Sequence, residues 1–226
     1  MSRRARRLLI GIPLAVLALI GIVLVVFLIR GGDEPPPPTL GSSGGGGGEA
    51  GSGVYEVRPG GESFVGYRVR EEFVTFGVTN AVGRTAGVSG PVRIQGRRIT
   101  RADLTADLTT LRSDESRRDN ALRERGLESA TFPEARFVLS APVAVVPERG
   151  ERGRATARGR LTLHGETRPV TAALAAQWSD DTLEVVGTAR IGFADFGIDP
   201  PSVAGFVTVN DQGRLEFKLL VEPAAA

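Results

Sequence analysis

Alternation of apolar and polar residues dominates the chain from residue 54 onward and predicts β-strands. The clearest run is 170–178, where every second residue is apolar and shares one side of an extended chain. The same period of two recurs at 183–193 and 215–221, and a Gly-Arg-Arg break at 96–98 is typical of a turn. Further strands are predicted at 62–70, 73–79, 86–95, 98–110, 134–146 and 155–164.

One charged segment, Ser113 to Gly126, departs from this period and predicts a short helix. Residues 116–119 resemble a capping box with an acid at the reciprocal position, and Gly126 falls at or near the C-terminal cap. Roughly eight long strands with one apolar face predict an all-β fold, either a barrel or a sandwich. Many small inward residues suit an antiparallel barrel around a ligand cavity, and a filled core remains the alternative.

The first 53 residues differ in composition and predict a membrane anchor followed by a linker. Residues 1–7 are basic, residues 8–29 carry no charge, and residues 30–53 are rich in Gly, Pro and Ser. As a helix the apolar run would be about 33 Å long, against a hydrocarbon core of about 30 Å. It exceeds the apolar region of a signal peptide, and no small-residue cleavage site follows it. We expect a retained single transmembrane helix, a spacer and one domain at 54–223.

Charge orients this anchor and narrows the range of partners. Four arginines precede the apolar run and one follows it, which places the N-terminus in the cytoplasm and the domain on the extracytoplasmic side of the cell membrane. Five of the 28 basic and three of the 26 acidic residues precede residue 54, which leaves 23 of each and no net charge on the domain. A nucleic-acid partner is not expected, because such binding needs a basic footprint on the domain itself.

Three short motifs resemble those of the YceI-like family. The segment 118–137, RDNALRERGLESATFPEARF, resembles the family's R-D-x-x-L…F…P-x-(I/A)-x-F stretch. HGETRPV at 164–170 resembles its H-G-V-T-K-P-V signature, and FGI at 196–198 resembles its late F-G-I element. The order and spacing of the motifs also fit, and the resemblance runs through roughly residues 54–222.

The resemblance implies a lipocalin-like, extended antiparallel β-barrel with a helix in a connection, and a role in binding rather than catalysis. The implied ligand is a long isoprenoid, either a polyprenyl lipid or a quinone, held inside the barrel. No other cofactor is expected, and a homodimer stays open. Two features depart from the family: Ala121 stands where members often carry histidine, and the anchor contrasts with many soluble secreted members.

The polar residues offer little chemistry by themselves. The chain has no cysteine and a single histidine, His164, whereas a zinc site needs several such ligands. No G-x-S-x-G motif marks a nucleophile, so we expect His164 to fix a turn. Arg118 and Asp119 are adjacent and would point about 100° apart on a helix. They either bind a ligand headgroup or tie the helix to the barrel wall.

Inward apolar side chains are the candidate ligand contacts, with simple core filling as the alternative. We select Phe76, Phe137, Leu163, Leu174, Trp178, Val185, Ile191, Phe193 and Phe217. The expected function is non-enzymatic binding, sequestration or carriage of an isoprenoid lipid or quinone at the extracytoplasmic membrane surface. The alternative is a cell-envelope interaction module, a filled barrel that binds a membrane or redox partner protein.

Overall fold

The structure is a computed structural model. It describes residues 34–41, 51–73, 77–199, 207–209 and 211–224. The chain divides into two units, Met1–Pro35 and Pro36–Ala226, and the β-sheet lies in the second. The predicted anchor at 8–29 falls outside the described residues. Among the residues that are described, none of the helices combines the length and the apolar character needed to span a bilayer.

The described chain is built almost entirely of β-strands joined by short turns. The strands are β1 (Gly53–Val57), β2 (Phe64–Phe73), β3 (Gly77–Thr85), β4 (Val88–Gln95), β5 (Arg98–Asp107), β6 (Arg112–Ser113), β7 (Glu134–Leu139), β8 (Arg152–Leu163), β9 (Glu166–Ser179), β10 (Thr182–Gly192), β11 (Val207–Val209) and β12 (Gln212–Pro223). The helical segments are α1 (Ser116–Ala121), a π-helical turn at Leu122–Gly126, and 3-10 turns at Leu108–Thr110 and Ala194–Phe196.

Eight antiparallel strands close into a barrel in the order β1-β4-β5-β7-β8-β9-β10-β12. Pairing of β1 with β12 completes the circle, with Tyr55 opposite Pro223 and Val57 opposite Val221. Further along the same edge of β12, Phe64 of β2 lies opposite Lys218. The prediction of an all-β antiparallel barrel with one short helix in a connection is therefore confirmed.

At two positions around the barrel, two strands lie end to end, and this lengthens the wall there. Both β1 and β2 run antiparallel to β12, and both are paired on their other side by β4 and β3 respectively. A turn with Gly60 and Gly61 at positive φ separates β1 from β2. Only a few residues separate β3 from β4, so the β2–β3 hairpin prolongs the wall beyond the closed ring.

The two ends of the barrel differ, and we name each by a residue or element at it. At the tryptophan end, where β9 ends and β10 begins, Trp178 is 1 % exposed and its indole N–H donates to the carbonyl of Pro147 at 3.0 Å. Tyr55 packs against it, with 6.2 Å between ring centroids. At the helix end lie α1, the β8–β9 turn and the start of β12. Large side chains therefore fill the tryptophan end.

Several predicted boundaries were wrong for local reasons. The strand predicted at 98–110 ends at Asp107, because the Asp107 carboxylate accepts from Thr109 N–H and starts a 3-10 turn. The strand predicted at 134–146 ends at Leu139, and beyond it an isolated bridge pairs Val143 with Ile99.

Other predicted elements have different bounds in the structure, because small or polar residues obscured the alternation of apolar and polar positions. The strand predicted at 73–79 is displaced to β3, whose sequence GVTNAVGRT contains little apolar signal. The helix predicted from Ser113 to Gly126 exists, but its α-helical part is shorter. Glu115 caps α1 by accepting from Arg117 N–H at 3.1 Å, and the last turn widens into the π-helical turn.

A buried ion pair crosses the wall between β2 and β12. The guanidinium of Arg68 forms a bidentate contact with the Glu216 carboxylate, at 2.6 and 3.0 Å, and Glu216 is 1 % exposed. Glu216 also attracts Arg84, whose guanidinium lies 4.2 Å from the centroid of the Phe64 ring. Removing this carboxylate would take the bidentate counter-charge away from a buried guanidinium.

Residues 36–41, which we call the strap, lie across the outer face of the barrel. Arg84 of β3 donates to the carbonyl of Pro36 at 2.6 Å. Gly41 N–H donates to the Glu184 carboxylate of β10 at 3.0 Å, and Gln177 of β9 donates to Gly41 O at 2.9 Å. Five extended steps span about 15 Å at polyproline geometry, close to the three strand spacings of about 14 Å between β3 and β10.

We expect Glu216→Ala to lower the free energy of unfolding by about 3–5 kcal/mol, because Arg68 would remain buried without its carboxylate. The measurement is urea unfolding of the full chain, followed by Trp178 fluorescence. Asp103→Ala is the matched control, since it removes an equally bidentate but exposed partner of Arg136 and should cost far less. Equal losses in the two variants would contradict the argument.

We expect Glu184→Ala to make the Gly41 amide exchange its hydrogen roughly tenfold faster, since a hydrogen bond to a charged acceptor contributes about 1.5–3 kcal/mol. Hydrogen–deuterium exchange of the full chain measures this rate. Glu62→Ala is the control, because it removes another carboxylate bound by Lys218 but leaves the strap contacts in place. Unchanged exchange in Glu184→Ala would show that the strap is held by other contacts.

Candidate functional site

An apolar cavity of about 260 Å³ occupies the barrel between its filled tryptophan end and its helix end. Nearly all of its walls are aliphatic or aromatic. Its apolar lining includes Val65, Val69, Val88, Val92, Ile99, Leu104, Leu108, Leu111, Leu122, Leu127, Phe137, Leu139, Leu161, Leu163, Val170, Leu174, Val185, Ile191, Phe193, Ile198, Leu215, Phe217 and Leu219. A cavity with such walls favours an apolar occupant, because few of its groups can hydrogen-bond to water.

A row of alanines makes room for the cavity. Ala157 of β8 lies opposite Ala172 of β9, which lies opposite Ala189 of β10. All three are buried and line the cavity. Because methyl groups reach only a short way inward, three neighbouring strands leave the centre of the barrel unfilled at this height.

Glycines in the wall allow aromatic rings to lie flat against it. A Cβ on Gly187 would clash with the Phe217 ring, and a Cβ on Gly159 would clash with the Phe137 ring. Each glycine therefore lets the neighbouring ring lie against the barrel wall instead of filling the cavity. These two close approaches widen the cavity beyond what the alanine row supplies.

The structure separates the nine apolar candidates into three groups. Seven line the cavity: Phe137, Leu163, Leu174, Val185, Ile191, Phe193 and Phe217. Trp178 shares the inward face of β9 with Leu174 but fills the tryptophan end instead of bordering the cavity. Phe76 lies outside the described residues. Ligand contact at the seven lining positions stays a prediction.

Polar groups enter the cavity near the helix end. On β2, Tyr67 and Glu71 continue the inward face begun by Val65 and Val69. Arg118 reaches the cavity from α1, and it is the one cationic side chain among the described lining residues. We call Tyr67, Glu71 and Arg118 the polar cluster, together with Ser113 and Asp114, which accept hydrogen bonds from Arg118.

Carboxylates on two sides neutralise Arg118. Its guanidinium lies 3.3 Å from Glu71 and 2.6 Å from Asp114, while the side chain is largely buried. Burial by itself would lower the pKa of Arg118, but the charge of Glu71 and hydrogen bonds to Glu71 and Asp114 raise it overall. Arg118 is therefore a fixed cation, tied to the barrel wall through β2. A role in binding a headgroup remains a prediction.

Asp119 serves the local structure of the connection. Its carboxylate accepts from Ser113 N–H at 2.9 Å and from the Ser113 hydroxyl at 2.7 Å. The Ser113 hydroxyl also accepts from Glu115 N–H and from Arg118. The hydroxyl of Ser113 is thus fully engaged, and Asp119 lies outside the cavity lining.

The Tyr67 hydroxyl is buried and has no hydrogen-bond partner among the described residues. In register across the sheet, Tyr67 lies opposite Gly83 and Gly83 opposite Ser113. A Cβ on Gly83 would clash with the Tyr67 ring, so the ring lies over this glycine. Burial raises the pKa of Tyr67 well above its ordinary value.

His164 occupies a two-residue turn between β8 and β9 at the helix end. His164 and Gly165 both have positive φ, as a type I′ hairpin requires. His164 Nδ1 lies 3.1 Å from the carbonyl oxygen of Phe196, and its ring meets the Phe132 ring edge-on at 4.5 Å. These contacts join the turn to two loops, outside the cavity lining.

The sequence analysis did not select Tyr67 or Glu71. Their one local signal is their place in the alternation along β2. Tyr67 and Glu71 occur at the same every-second-residue positions as Val65 and Val69, which face inward. Their polar neighbours lie on β6 and α1, and Arg118 lies 47 residues beyond Glu71 along the chain. Among the described residues, no group of His, Asp or Glu side chains is arranged to hold a metal ion.

Comparison with known sequences gives one family and one curated relative. The sequence profile of the YceI-like domain matches residues 55–221. The UPF0312 protein VPA0850 of Vibrio parahaemolyticus is 28 % identical over 134 residues, which cover 55 % of this chain and 68 % of the relative. The profile therefore covers the barrel from β1 to β12.

Solved structures with the same fold include proteins from Saccharophagus degradans and Burkholderia cenocepacia. A polyisoprenoid binding domain from Saccharophagus degradans, implicated in plant cell wall breakdown, superposes with a TM-score of 0.58 at 18 % identity, over 77 % of this chain and 100 % of that domain. Burkholderia cenocepacia BcnA gives a TM-score of 0.52 at 19 % identity, over 68 % of this chain and 95 % of BcnA. At such identities the likeness shows the fold.

We expect neither tyrosine of the folded chain to ionise near pH 10, the ordinary phenol pKa. Burial raises the pKa of both Tyr55 and Tyr67. The unfolded chain therefore releases protons that the folded chain keeps, so stability falls as the pH rises above about 10. Ultraviolet absorbance of tyrosinate, followed beside circular dichroism, tests this. Two phenols titrating near pH 10 while the fold persists would contradict it.

Proposed function

The chain belongs to the YceI-like domain family, and we propose that its barrel binds an isoprenoid-type lipid, a polyprenyl lipid or a quinone, without catalysing a reaction. The observation that carries the proposal is the apolar cavity of about 260 Å³ inside a closed barrel. A long hydrocarbon tail lies along this cavity, and the headgroup lies at the polar cluster near the helix end.

Burial of the tail drives binding in this proposal. Each buried methylene contributes about 0.8 kcal/mol of transfer free energy, so a few isoprene units supply several times that amount. Loss of translational and conformational freedom offsets part of it. The alanine row and the flattened rings of Phe137 and Phe217 make this gain available, because the protein does not have to expel its own side chains first.

The fold neighbour from Saccharophagus degradans supports the ligand class, since that protein is described as a polyisoprenoid binding domain. Its identity of 18 % supports a shared architecture, and the cavity lining supports an apolar ligand for this chain. The alternative of a filled barrel acting only through its outer surface is disfavoured by the cavity.

The setting at a membrane is part of the proposal and rests on sequence. The uncharged run at 8–29, with four arginines before it and one after it, supports a single-pass anchor that holds the barrel on the extracytoplasmic side. The barrel then sequesters or carries a lipid drawn from that membrane surface.

We expect Ala172→Phe to reduce lipid uptake at least tenfold, because the ring would project into the cavity from the middle of the alanine row. Native mass spectrometry of the full chain, released from detergent micelles after incubation with a polyprenol or a quinone, measures the lipid-bound fraction. Circular dichroism checks that each variant retains its strands.

The matched control is Ala173→Phe, an identical change at the adjacent residue of β9. Ala173 is exposed and faces outward, so its variant should bind lipid like the wild type. Failure of the wild type to retain any isoprenoid would refute the proposed function. Equal loss in both variants would show that the cavity is not where the lipid binds.

A further inference from the structure

Five arginines share one outer face of the barrel, on the wall formed by β8, β9, β10 and β12. Inward residues of this wall, such as Ala157, Ala189 and Leu215, line the cavity, so the residues next to them point outward. All five arginines are exposed. We call them the arginine face: Arg154, Arg158 and Arg160 of β8, Arg190 of β10 and Arg214 of β12.

Three of these arginines lie at about one level across the wall. Arg190 is directly opposite Arg214 in the register of β10 and β12. Arg158 of β8 lies at the same level, two strands away from Arg190. Like charges directly opposite one another destabilise a sheet, so the pairing of Arg190 with Arg214 does not serve the fold.

The arginine face carries positive charge without counter-charges of its own. Among the described residues, no carboxylate forms an ion pair with any of its five guanidinium groups, whereas exposed Arg136 has a partner in Asp103. The outward carboxylate nearest to it on β12, Glu216, is buried and bound by Arg68. Other outward positions of this wall are uncharged: Thr156, Pro169, Thr171, Ala173, Ala175, Val186 and Thr188. Since the domain has no net charge, this face holds a local excess of positive charge.

The strap ends on the same wall, which favours a membrane surface as the partner of the face. Gly41 is bound by side chains of β9 and β10. Residues 30–35 join the uncharged run to the strap, and six residues reach about 20 Å at most. In the membrane setting proposed above, the chain therefore keeps this wall within reach of lipid headgroups.

We infer that the arginine face docks the barrel on a membrane surface that contains anionic phospholipids. Guanidinium groups bind phosphate oxygens through paired N–H donors. Each arginine near an anionic surface favours association by roughly fivefold. Single-stranded nucleic acids need aromatic rings for stacking, and the described residues of this face present none. The inference takes the membrane setting from the proposed function and does not depend on the lipid in the cavity.

The test follows the distance between the arginine face and the lipid in vesicles that hold the full chain. Because the chain has no cysteine, Ala173→Cys places a single fluorescent label in the middle of the face. Gln95→Cys places the same label on β4, four strands away in the ring of eight. Energy transfer to a headgroup-labelled lipid is measured in phosphatidylcholine vesicles with and without phosphatidylglycerol.

We expect energy transfer from position 173, and not from position 95, to rise when the anionic lipid is present. Added salt should reverse the rise, because charges more than about 10 Å apart are screened at 0.1 M ionic strength. Flotation of the chain with neutral vesicles tests the anchor by itself, so a failure of the membrane setting can be told apart from a failure of docking.

Arg190→Gln combined with Arg214→Gln should release the barrel from the anionic surface, by roughly fivefold in the docking equilibrium for each arginine removed. Arg93→Gln combined with Arg101→Gln is the matched control, because these exposed arginines are also directly opposite each other but lie on β4 and β5. The control should dock like the wild type. Circular dichroism checks that both variants keep their strands.

Three results would overturn the inference. One is equal energy transfer from position 173 in neutral and anionic vesicles, and another is an equal loss in the two paired variants. The third is a poly-glutamate peptide that binds the wild-type chain while position 173 stays away from anionic lipid, which would assign the face to an acidic protein. None of these results bears on lipid uptake by the cavity, which the Ala172→Phe comparison tests separately.

Discussion

Hydrogen bonding between the first and last strands of the barrel is the constraint on which the rest of the structure depends. Where β1 meets β12, an open twisted sheet becomes a closed ring in which each of the eight strands has a neighbour on both sides. Closure fixes the distance across the barrel, so the side chains alone decide whether the centre is filled. Trp178 fills it at one end, whereas the methyl groups of Ala157, Ala172 and Ala189 leave it unfilled further along.

Charge is distributed on both sides of this wall in a way that protects the apolar interior. The Arg68–Glu216 pair neutralises itself within the wall, and Arg118 is neutralised by carboxylates before it reaches the cavity. The protein itself therefore compensates the charge of both arginines. The polar atom left over near the cavity is the uncharged hydroxyl of Tyr67.

Strands whose two faces differ in polarity could be predicted from the sequence, because their period of two persists along their length. For this reason the run at 170–178 lies in β9, and the run at 183–193 lies in β10 except for its last residue. β3 could not be placed, since Gly83 lends it no apolar signal and is required by the ring of Tyr67, a contact between strands. The polar cluster was missed for the same reason: its members meet only after β2, β6 and α1 are brought together.

The strap adds a mechanical consequence to this architecture. Any tension transmitted from the preceding chain reaches Pro36 and Gly41 before it reaches β1. The load is then shared by side chains on β3, β9 and β10, none of which takes part in the pairing of β1 with β12. The pairing of β1 with β12, whose loss would reopen the barrel, is thereby shielded from tension in the preceding chain.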